Sequence, residues 1–170
     1  MKRMIVLLLV GSILLFTGCV ENSTVSNKEN ETTKVGKTVA TFKMNEDAFI
    51  TNEDGKFRIR FTSVKETSER NQFSDKRADR VIIVEYEYEN LTREDDLYIS
   101  SMNFKMYDKD NNALETYPST EVKYADSISL GRKTTASEAY ALNNNQNYIE
   151  LEFYDNMFNS KADAKFILEW

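Results

Sequence analysis

Apolar residues recur at every second position in five segments of the chain. The segments are Lys56–Phe61, Val81–Glu89, Met102–Tyr107, Tyr148–Tyr154 and Ala164–Trp170. In the second of them, one side carries Ile82, Val84, Tyr86 and Tyr88 and the other carries Glu85, Glu87 and Glu89. A period of two predicts β-strands with one buried and one solvated face, which is typical of antiparallel sheets.

Three weaker segments, Thr38–Met44, Glu121–Tyr124 and Ala136–Leu142, bring the expected number of short strands to seven or eight. No segment of the body repeats apolar residues at the i, i+3, i+4, i+7 spacing of a helix. We therefore predict an all-β protein, built as an immunoglobulin-like sandwich of two antiparallel sheets.

Asn and Asp supply most of the predicted turns, because Gly and Pro are scarce. The hairpin candidates are Asn52–Gly55, Asp108–Asn112 and Asn143–Asn147. Asn and Asp tolerate left-handed backbone and bond to their own neighbours. The connection Lys65–Asp79 is long for a hairpin, and Phe73 is its only large apolar residue. We expect a solvated connection pinned by Phe73, with a partner-contacting loop as the alternative.

The N-terminus has a different pattern, with a positive Met1–Arg3 followed by an almost wholly apolar Met4–Phe16. A helix that spans a bilayer needs roughly 20 apolar residues, so residues 1–18 are better explained as a secretory signal. The sequence LFTGC, which ends at Cys19, resembles the lipobox of bacterial lipoprotein precursors. That resemblance implies a diacylglyceryl group on the Cys19 thiol and cleavage just before it. The alternatives are a plain secretory signal with an incidental cysteine and an uncleaved anchor.

Residues 19–34 are rich in Ser, Thr, Asn, Glu and Lys and have no aromatic side chain. Such a segment buries too little apolar surface to offset the entropy of ordering, so we expect a tether. Residues 35–170 then form one domain. Because two acyl chains give a stable membrane anchor, we expect the protein on the outer face of the cytoplasmic membrane, held by the Cys19 lipid.

The order of the strand-like segments adds a second resemblance. KFRIRF, RVIIVEYEYENLT, FKMYDKDNNALE and YIELEFYD follow one another in a chain that opens with a lipobox-like leader. This order resembles Gram-positive bacterial lipoproteins that carry a telokin-like, immunoglobulin-like domain of unknown function. The resemblance implies the fold and a cell-surface setting for residues 35–170. It implies no catalytic residue.

Charge and composition exclude several functions. The chain has a net charge of −6, and removal of residues 1–18 takes away Lys2 and Arg3 and no acid. An acidic domain is a poor partner for nucleic acid, which is bound through Lys and Arg. There is no His and only one Cys. This removes Ser-His and Cys-His catalysis and most zinc sites. We expect a protein that is not an enzyme and needs no cofactor.

Two clusters of acidic and amide side chains resemble known sites, one a glycosidase pair and the other a calcium-binding loop. Within the set Glu85, Glu87 and Glu89, each residue lies roughly 6.6–7 Å from the next on a strand, which is within the range of an inverting glycosidase. Their alternation with apolar residues is typical of an ordinary outer strand face, and we expect no catalysis there.

Asp108, Asp110 and Asn112 match the first ligand positions of an EF-hand. Ala113 replaces the required Gly and Ser119 replaces the final Glu, so an EF-hand is excluded. An Asx-rich turn is the simpler explanation. A loose calcium site that also uses Glu94–Asp96 is the alternative.

Tyrosine gives the last candidate site. Tyr side chains combine a large contact area with a polar tip, although strands favour Tyr in any case. The predicted outer faces and loops carry Tyr107, Tyr117, Tyr124, Tyr148 and Tyr154. We expect a non-enzymatic interaction module that binds an envelope protein or glycan. The alternatives are an exported ligand-binding or inhibitor protein for calcium or a small glycan and, last, a carboxylate hydrolase.

The lipid anchor is directly testable. Labelled fatty acid should enter the wild-type chain, and the Cys19→Ala variant should be shed into the medium because it lacks the thiol that carries the lipid. Membrane fractionation measures both outcomes. A Cys19→Ala protein that still sediments with membranes would contradict the assignment.

Overall fold

The computed structural model describes residues 38–74 and 77–170. Within these ranges the chain forms eight strands: β1 (Thr41–Lys43), β2 (Ala48–Asn52), β3 (Gly55–Thr67), β4 (Arg80–Asn90), β5 (Phe104–Tyr107), β6 (Lys133–Leu142), β7 (Tyr148–Phe153) and β8 (Ala164–Glu169). The predicted signal segment 1–18, the tether 19–34 and Cys19 lie outside the described residues. No helix in the described part is long and apolar enough to cross a membrane.

The strands form two sheets of four. Sheet A has the order β1-β8-β7-β5, and sheet B has the order β2-β3-β4-β6. This confirms the predicted all-β sandwich. One detail differs from the expected antiparallel pattern, because β1 pairs with β8 in parallel. The chain leaves sheet A after Lys43 and enters sheet B at Ala48. Strand β2 was not predicted, since only Ala48 and Ile50 in it are buried.

An aromatic cluster joins the two sheets. Phe61 of sheet B lies 5.4 Å from Phe104 and 4.7 Å from Phe166, both of sheet A, between ring centroids. It also lies 5.7 Å from Tyr86 on its own sheet. The contacts with sheet A are edge-to-face, the geometry in which aromatic pairs add energy beyond their buried area. These rings therefore form the centre of the core.

The alternation predicted the core face correctly on the main strands. Ile149, Leu151 and Phe153 of β7 are fully buried, as are Phe166 and Leu168 of β8. The hydroxyl groups of the two buried tyrosines on β4 have partners, as buried polar groups require. Tyr86 donates to the carbonyl of Ile99 at 2.9 Å, and Tyr88 donates to the carbonyl of Asp126 at 2.5 Å. These bonds fasten the connections around β5 to sheet B.

The predicted turns have three different outcomes. Asn52–Gly55 is the tight hairpin between β2 and β3, and a side chain at Gly55 would meet the Arg93 backbone at 3.0 Å. Asp108–Asn112 is a turn, closed by the amide of Asp108, which donates to the carbonyl of Asn112 at 2.9 Å. Asn143–Asn147 is not a hairpin, because it carries the chain from β6 in sheet B to β7 in sheet A.

The predicted strand Glu121–Tyr124 is wrong. It forms no strand and approaches β6 through a backbone bond from Ser137 to Lys123. The segment before it makes the closer contact with β6. The amide of Tyr117 donates to Ala139 at 2.7 Å and that of Ala141 donates to Glu115 at 2.9 Å. This segment covers the outer edge of β6.

The long connection between β3 and β4 is not pinned by Phe73, whose side chain is 87% exposed. Glu69 and Asn71 hold it instead. The amide of Asn71 donates to the Tyr117 hydroxyl at 3.0 Å, and the amide of Thr120 donates to the Glu69 carboxylate at 3.0 Å. Hydrogen bonds from Ser119 and Thr120 lower the pKa of Glu69 to about 2. Polar contacts therefore fix the connection where an apolar contact was expected.

The connections gather at two ends of the sandwich. The proximal end holds Thr38–Ala40, the β2–β3 hairpin and the β7–β8 connection, where Arg93 bridges Asp54 and Asp155 at 2.9 and 3.1 Å. The distal end holds the β3–β4 connection and the segments 108–113 and 143–147. There the Arg80 guanidinium donates to the carbonyl of Asn144 at 3.2 Å.

Phe61, which is buried, and Phe73, which is exposed, allow a matched test of the core. Phe61→Ala should lower the free energy of unfolding by about 3–5 kcal/mol, because it removes a fully buried ring. Phe73→Ala removes the same group from solvent and should change it by less than about 0.5 kcal/mol. Chemical denaturation measures both. Equal losses for the two variants would contradict this core.

The Glu69 contacts predict a pH dependence. Because the folded pKa of about 2 lies below the ordinary 4.5, the stabilisation is complete above pH 4.5 and is lost as the pH falls towards 2. Ser119→Ala should raise the pKa of Glu69, measured by carboxyl NMR, whereas Ser160→Ala at the proximal end should not. A wild-type pKa near 4.5 would contradict these contacts.

Candidate functional site

The outer face of sheet A brings together three of the five candidate tyrosines. Tyr107 on β5 is paired with Glu150 on β7, and Tyr148 on β7 is paired with Glu169 on β8. Tyr154 follows β7 directly. Because alternate residues of β7 point into the core, these tyrosines point outward. We call the group formed by Tyr107, Tyr148, Tyr154, Glu150, Glu152 and Lys165 the tyrosine face.

Lys165 is the charged centre of the tyrosine face. Its Nζ lies 2.8 Å from Glu150 and 3.1 Å from Glu152. Hydrogen bonds to these two carboxylates raise the pKa of Lys165. Burial raises the pKa of Glu152, but hydrogen bonds from Tyr154 and Lys165 outweigh it and the pKa is lowered. The charges of the face are therefore paired within the face itself.

The three tyrosines differ in exposure. Tyr107 and Tyr148 are half-buried, so each of the two residues keeps some contact with solvent. Tyr154 is only 6% exposed. Its hydroxyl donates to Glu152 at 2.7 Å, and the Lys105 Nζ lies 4.5 Å above its ring. Burial and the Glu152 carboxylate raise the pKa of Tyr154 to about 12. Tyr154 therefore supports the face, and its expected role as an exposed contact is wrong.

The other two candidate tyrosines lie elsewhere. Tyr117 is 6% exposed and packs with Val81, Ile83, Ala139 and Ala141 on the outer side of sheet B. The expectation that Tyr117 is available to a partner is wrong, because these apolar side chains and the β3–β4 connection cover it. Tyr124 is 81% exposed, in the connection that precedes β6. The five tyrosines therefore do not form one surface.

The candidate carboxylates of β4 are held in ion pairs. Arg58, only 8% exposed, lies 2.5 Å from Glu87 and 2.9 Å from Glu89. Glu85 lies 2.7 Å from Lys65, and hydrogen bonds from Lys65 and Ser63 lower its pKa. A general acid needs a raised pKa, which Glu85 does not have, and the ion pairs of Glu87 and Glu89 with Arg58 favour a structural role. That the protein is not an enzyme stays a prediction.

The Asp108 turn is built from amides. The Asp108 carboxylate accepts hydrogen bonds from the backbone of Asp110 and Asn112 at 2.9 and 2.8 Å and from the Asn112 and Asn144 side chains at 3.0 Å. These donors occupy the oxygens that a cation would need. Among the described residues, no group of three acidic, His or Cys side chains could hold a metal.

The calcium alternative that combined this turn with Glu94–Asp96 is wrong. Glu94 and Asp95 line a cavity with Glu53 and Asp54 at the proximal end, whereas Asp108 is at the distal end. The two groups therefore cannot coordinate one ion.

Sequence reasoning missed Glu138. On β6 it is paired with Val84, so it faces the core side, and burial raises its pKa. The amide of Ser101 donates to its carboxylate at 3.1 Å. Its place between Ala136 and Tyr140 in the alternation was a signal that could have identified it. The contact with Ser101 fastens the short turn before β5.

Comparisons with known proteins agree with the fold. MPT63, a secreted protein from Mycobacterium tuberculosis, superposes with a TM-score of 0.59 at 11% identity, over 79% of this chain and 99% of MPT63. The yjhA protein from Bacillus subtilis superposes with a TM-score of 0.53 at 15% identity, over 75% of this chain and 98% of that protein. No curated protein matches by sequence.

A family model described as a domain of unknown function, DUF5067, matches residues 26–155. This confirms the expectation of a domain of unknown function, and the lipid anchor and the Gram-positive origin remain proposals. The match spans most of the chain, and the protein belongs to the DUF5067 family.

Proposed function

We propose that this protein is an exported lipoprotein of a Gram-positive bacterium, anchored through Cys19, whose sandwich binds another envelope protein without catalysis. The leader and Cys19 support the anchor, and the likeness to the secreted MPT63 supports an extracytoplasmic setting. The observation that carries the binding role is the tyrosine face.

The tyrosine face has the chemistry of a recognition surface. Tyr107 and Tyr148 present ring surface with a polar tip, and Tyr is enriched at the centres of protein interfaces. Tyr107 is paired with Glu150, so Tyr148 is its diagonal neighbour, and such neighbours lie about 7–8 Å apart. The two rings are therefore close enough to contact one partner together.

The same face is prepared for binding before a partner arrives. Lys165 is already paired with Glu150 and Glu152, and Tyr154 is already bonded to Glu152. A surface whose side chains are held in place loses little conformational entropy on association. The tyrosine face lies on the open outer surface of sheet A. An open surface suits the broad surface of a protein partner better than it suits a small molecule.

Site-specific photocrosslinking tests this proposal. A photoreactive phenylalanine analogue is placed at Tyr107 or Tyr148 in the full chain, which keeps Cys19, and is irradiated in intact cells. Both positions should give the same crosslinked protein, identified by mass spectrometry. Control positions are Tyr124 and Phe158, which are 81% and 88% exposed but lie off this face. Crosslinks of equal yield from the controls would contradict the assignment of the face.

Catalysis is the alternative, and two substitutions on β4 test it. Glu85→Gln and Glu87→Gln should leave the crosslink unchanged, since both side chains lie on sheet B and are not part of the tyrosine face. A hydrolase activity of the purified protein that either substitution abolishes would overturn the non-enzymatic role.

A further inference from the structure

A polar cleft of about 390 Å³ opens at the distal end of the sandwich. It lies between the turn that follows β5 and the connection from β6 to β7. The side chains that matter to its chemistry are those of Arg77, Asp110, Asn112, Ala113 and Asn143. Its volume is within the range of small-molecule sites, about 300–1,000 Å³. The cleft shares no lining residue with the tyrosine face, and the function inferred for it does not rest on the one proposed above.

The walls of the cleft are fixed by hydrogen bonds. Asp108, only 7% exposed, binds the side-chain amides of both Asn112 and Asn144 and so joins the two walls. Arg80 reinforces the second wall, because its guanidinium donates to the carbonyls of Asn144 and Gln146 at 3.2 and 3.1 Å. A site with fixed walls retains more of its gross binding energy than a mobile one.

The bonds within the walls decide which atoms are left for a ligand. Asn112 donates its amide NH₂ to Asp108, so Asn112 offers its Oδ1 acceptor. Asn143 accepts the amide of Asp79 at 3.3 Å through Oδ1, so Asn143 offers its NH₂ donors. Asp110 accepts only a long bond of 3.4 Å from Gln146 in the described contacts. Together with the Arg77 guanidinium, the cleft offers donors and acceptors side by side.

This mixture selects a class of ligand. A hydroxyl group both donates and accepts, so neighbouring hydroxyls on a sugar ring match a cleft of alternating donors and acceptors. Asp108 and Asp110 face Arg77 in the lining, so an anion such as phosphate meets two carboxylates beside the one guanidinium and is disfavoured. The saturated Asp108 carboxylate disfavours a divalent cation.

A small apolar side chain completes the match. Ala113 is exposed and lines the cleft beside these polar groups. The C–H face of a pyranose ring is apolar, whereas its edge carries the hydroxyls, so one sugar ring satisfies both parts of the cleft. We infer that the distal cleft binds an uncharged or cationic saccharide unit. The sequence analysis gave a small glycan as one alternative ligand, but it indicated no site for that ligand.

Saturation-transfer NMR tests the inference on the full chain. The probes are chitobiose, cellobiose and maltose at millimolar concentration, with inorganic phosphate and Ca²⁺ as competitors. At least one disaccharide should give a saturable signal. Asp110→Ala and Asn143→Ala should each weaken it about tenfold, the effect of losing one good hydrogen bond. Both substitutions leave the amide contacts of Asp108 intact, so the turn is expected to stay folded.

The control is Asn145→Ala, which removes an exposed amide from the same connection but does not line the cleft. It should leave the affinity unchanged. The inference is overturned if no disaccharide saturates, if Asn145→Ala weakens binding as much as Asn143→Ala, or if phosphate or Ca²⁺ displaces the sugar. Crosslinking from Tyr107 should be unchanged in Asp110→Ala, so failure of the cleft and failure of the tyrosine face are separate results.

Discussion

The contact between Phe61 and Phe166 at 4.7 Å is the interaction on which the rest of the structure depends, because it joins the two sheets at the centre of the core. Phe61 also holds the segment in which the chain changes sheets. The amide of Asn45, in the segment between β1 and β2, donates to the carbonyl of Phe61 at 2.8 Å. The ladder between β3 and β4 is irregular just after this residue. Since each strand has two faces, fixing the aromatic side also fixes the outward side chains.

The sequence predicted the strands whose alternation is long and regular. On β4 and β7 the inward set is decided by a period of two, whichever strands become neighbours. The failures came from segments whose structure depends on distant partners. Glu121–Tyr124 alternates as well as some true strands, but the edge of β6 is covered by residues around Tyr117. Asn143–Asn147 has the residues of a hairpin, and only the assignment of β6 and β7 to different sheets shows that it is a crossing.

The candidate sites also divide into features that local alternation predicts and features that depend on distant partners. The alternation of β5 and β7 placed Tyr107 and Tyr148 on an outer face, and the pairing of the two strands brought them together. Nothing local to Tyr117 indicates that Asn71, 46 positions earlier, covers its hydroxyl. The distal cleft could not be predicted from the sequence for a related reason. Asp108 and Asn144, whose contact joins its walls, are 36 positions apart, and no periodic pattern relates them.

Native-state hydrogen exchange tests most directly whether the aromatic core makes the two sheets one unit. The slowest amides of β4 in sheet B and of β7 in sheet A are followed as denaturant is added below the unfolding transition. This account predicts that both sets exchange only by global unfolding, with the same free energy and the same dependence on denaturant. If the amides of β7 exchange at a clearly lower free energy than those of β4, sheet A opens on its own, and the account is contradicted.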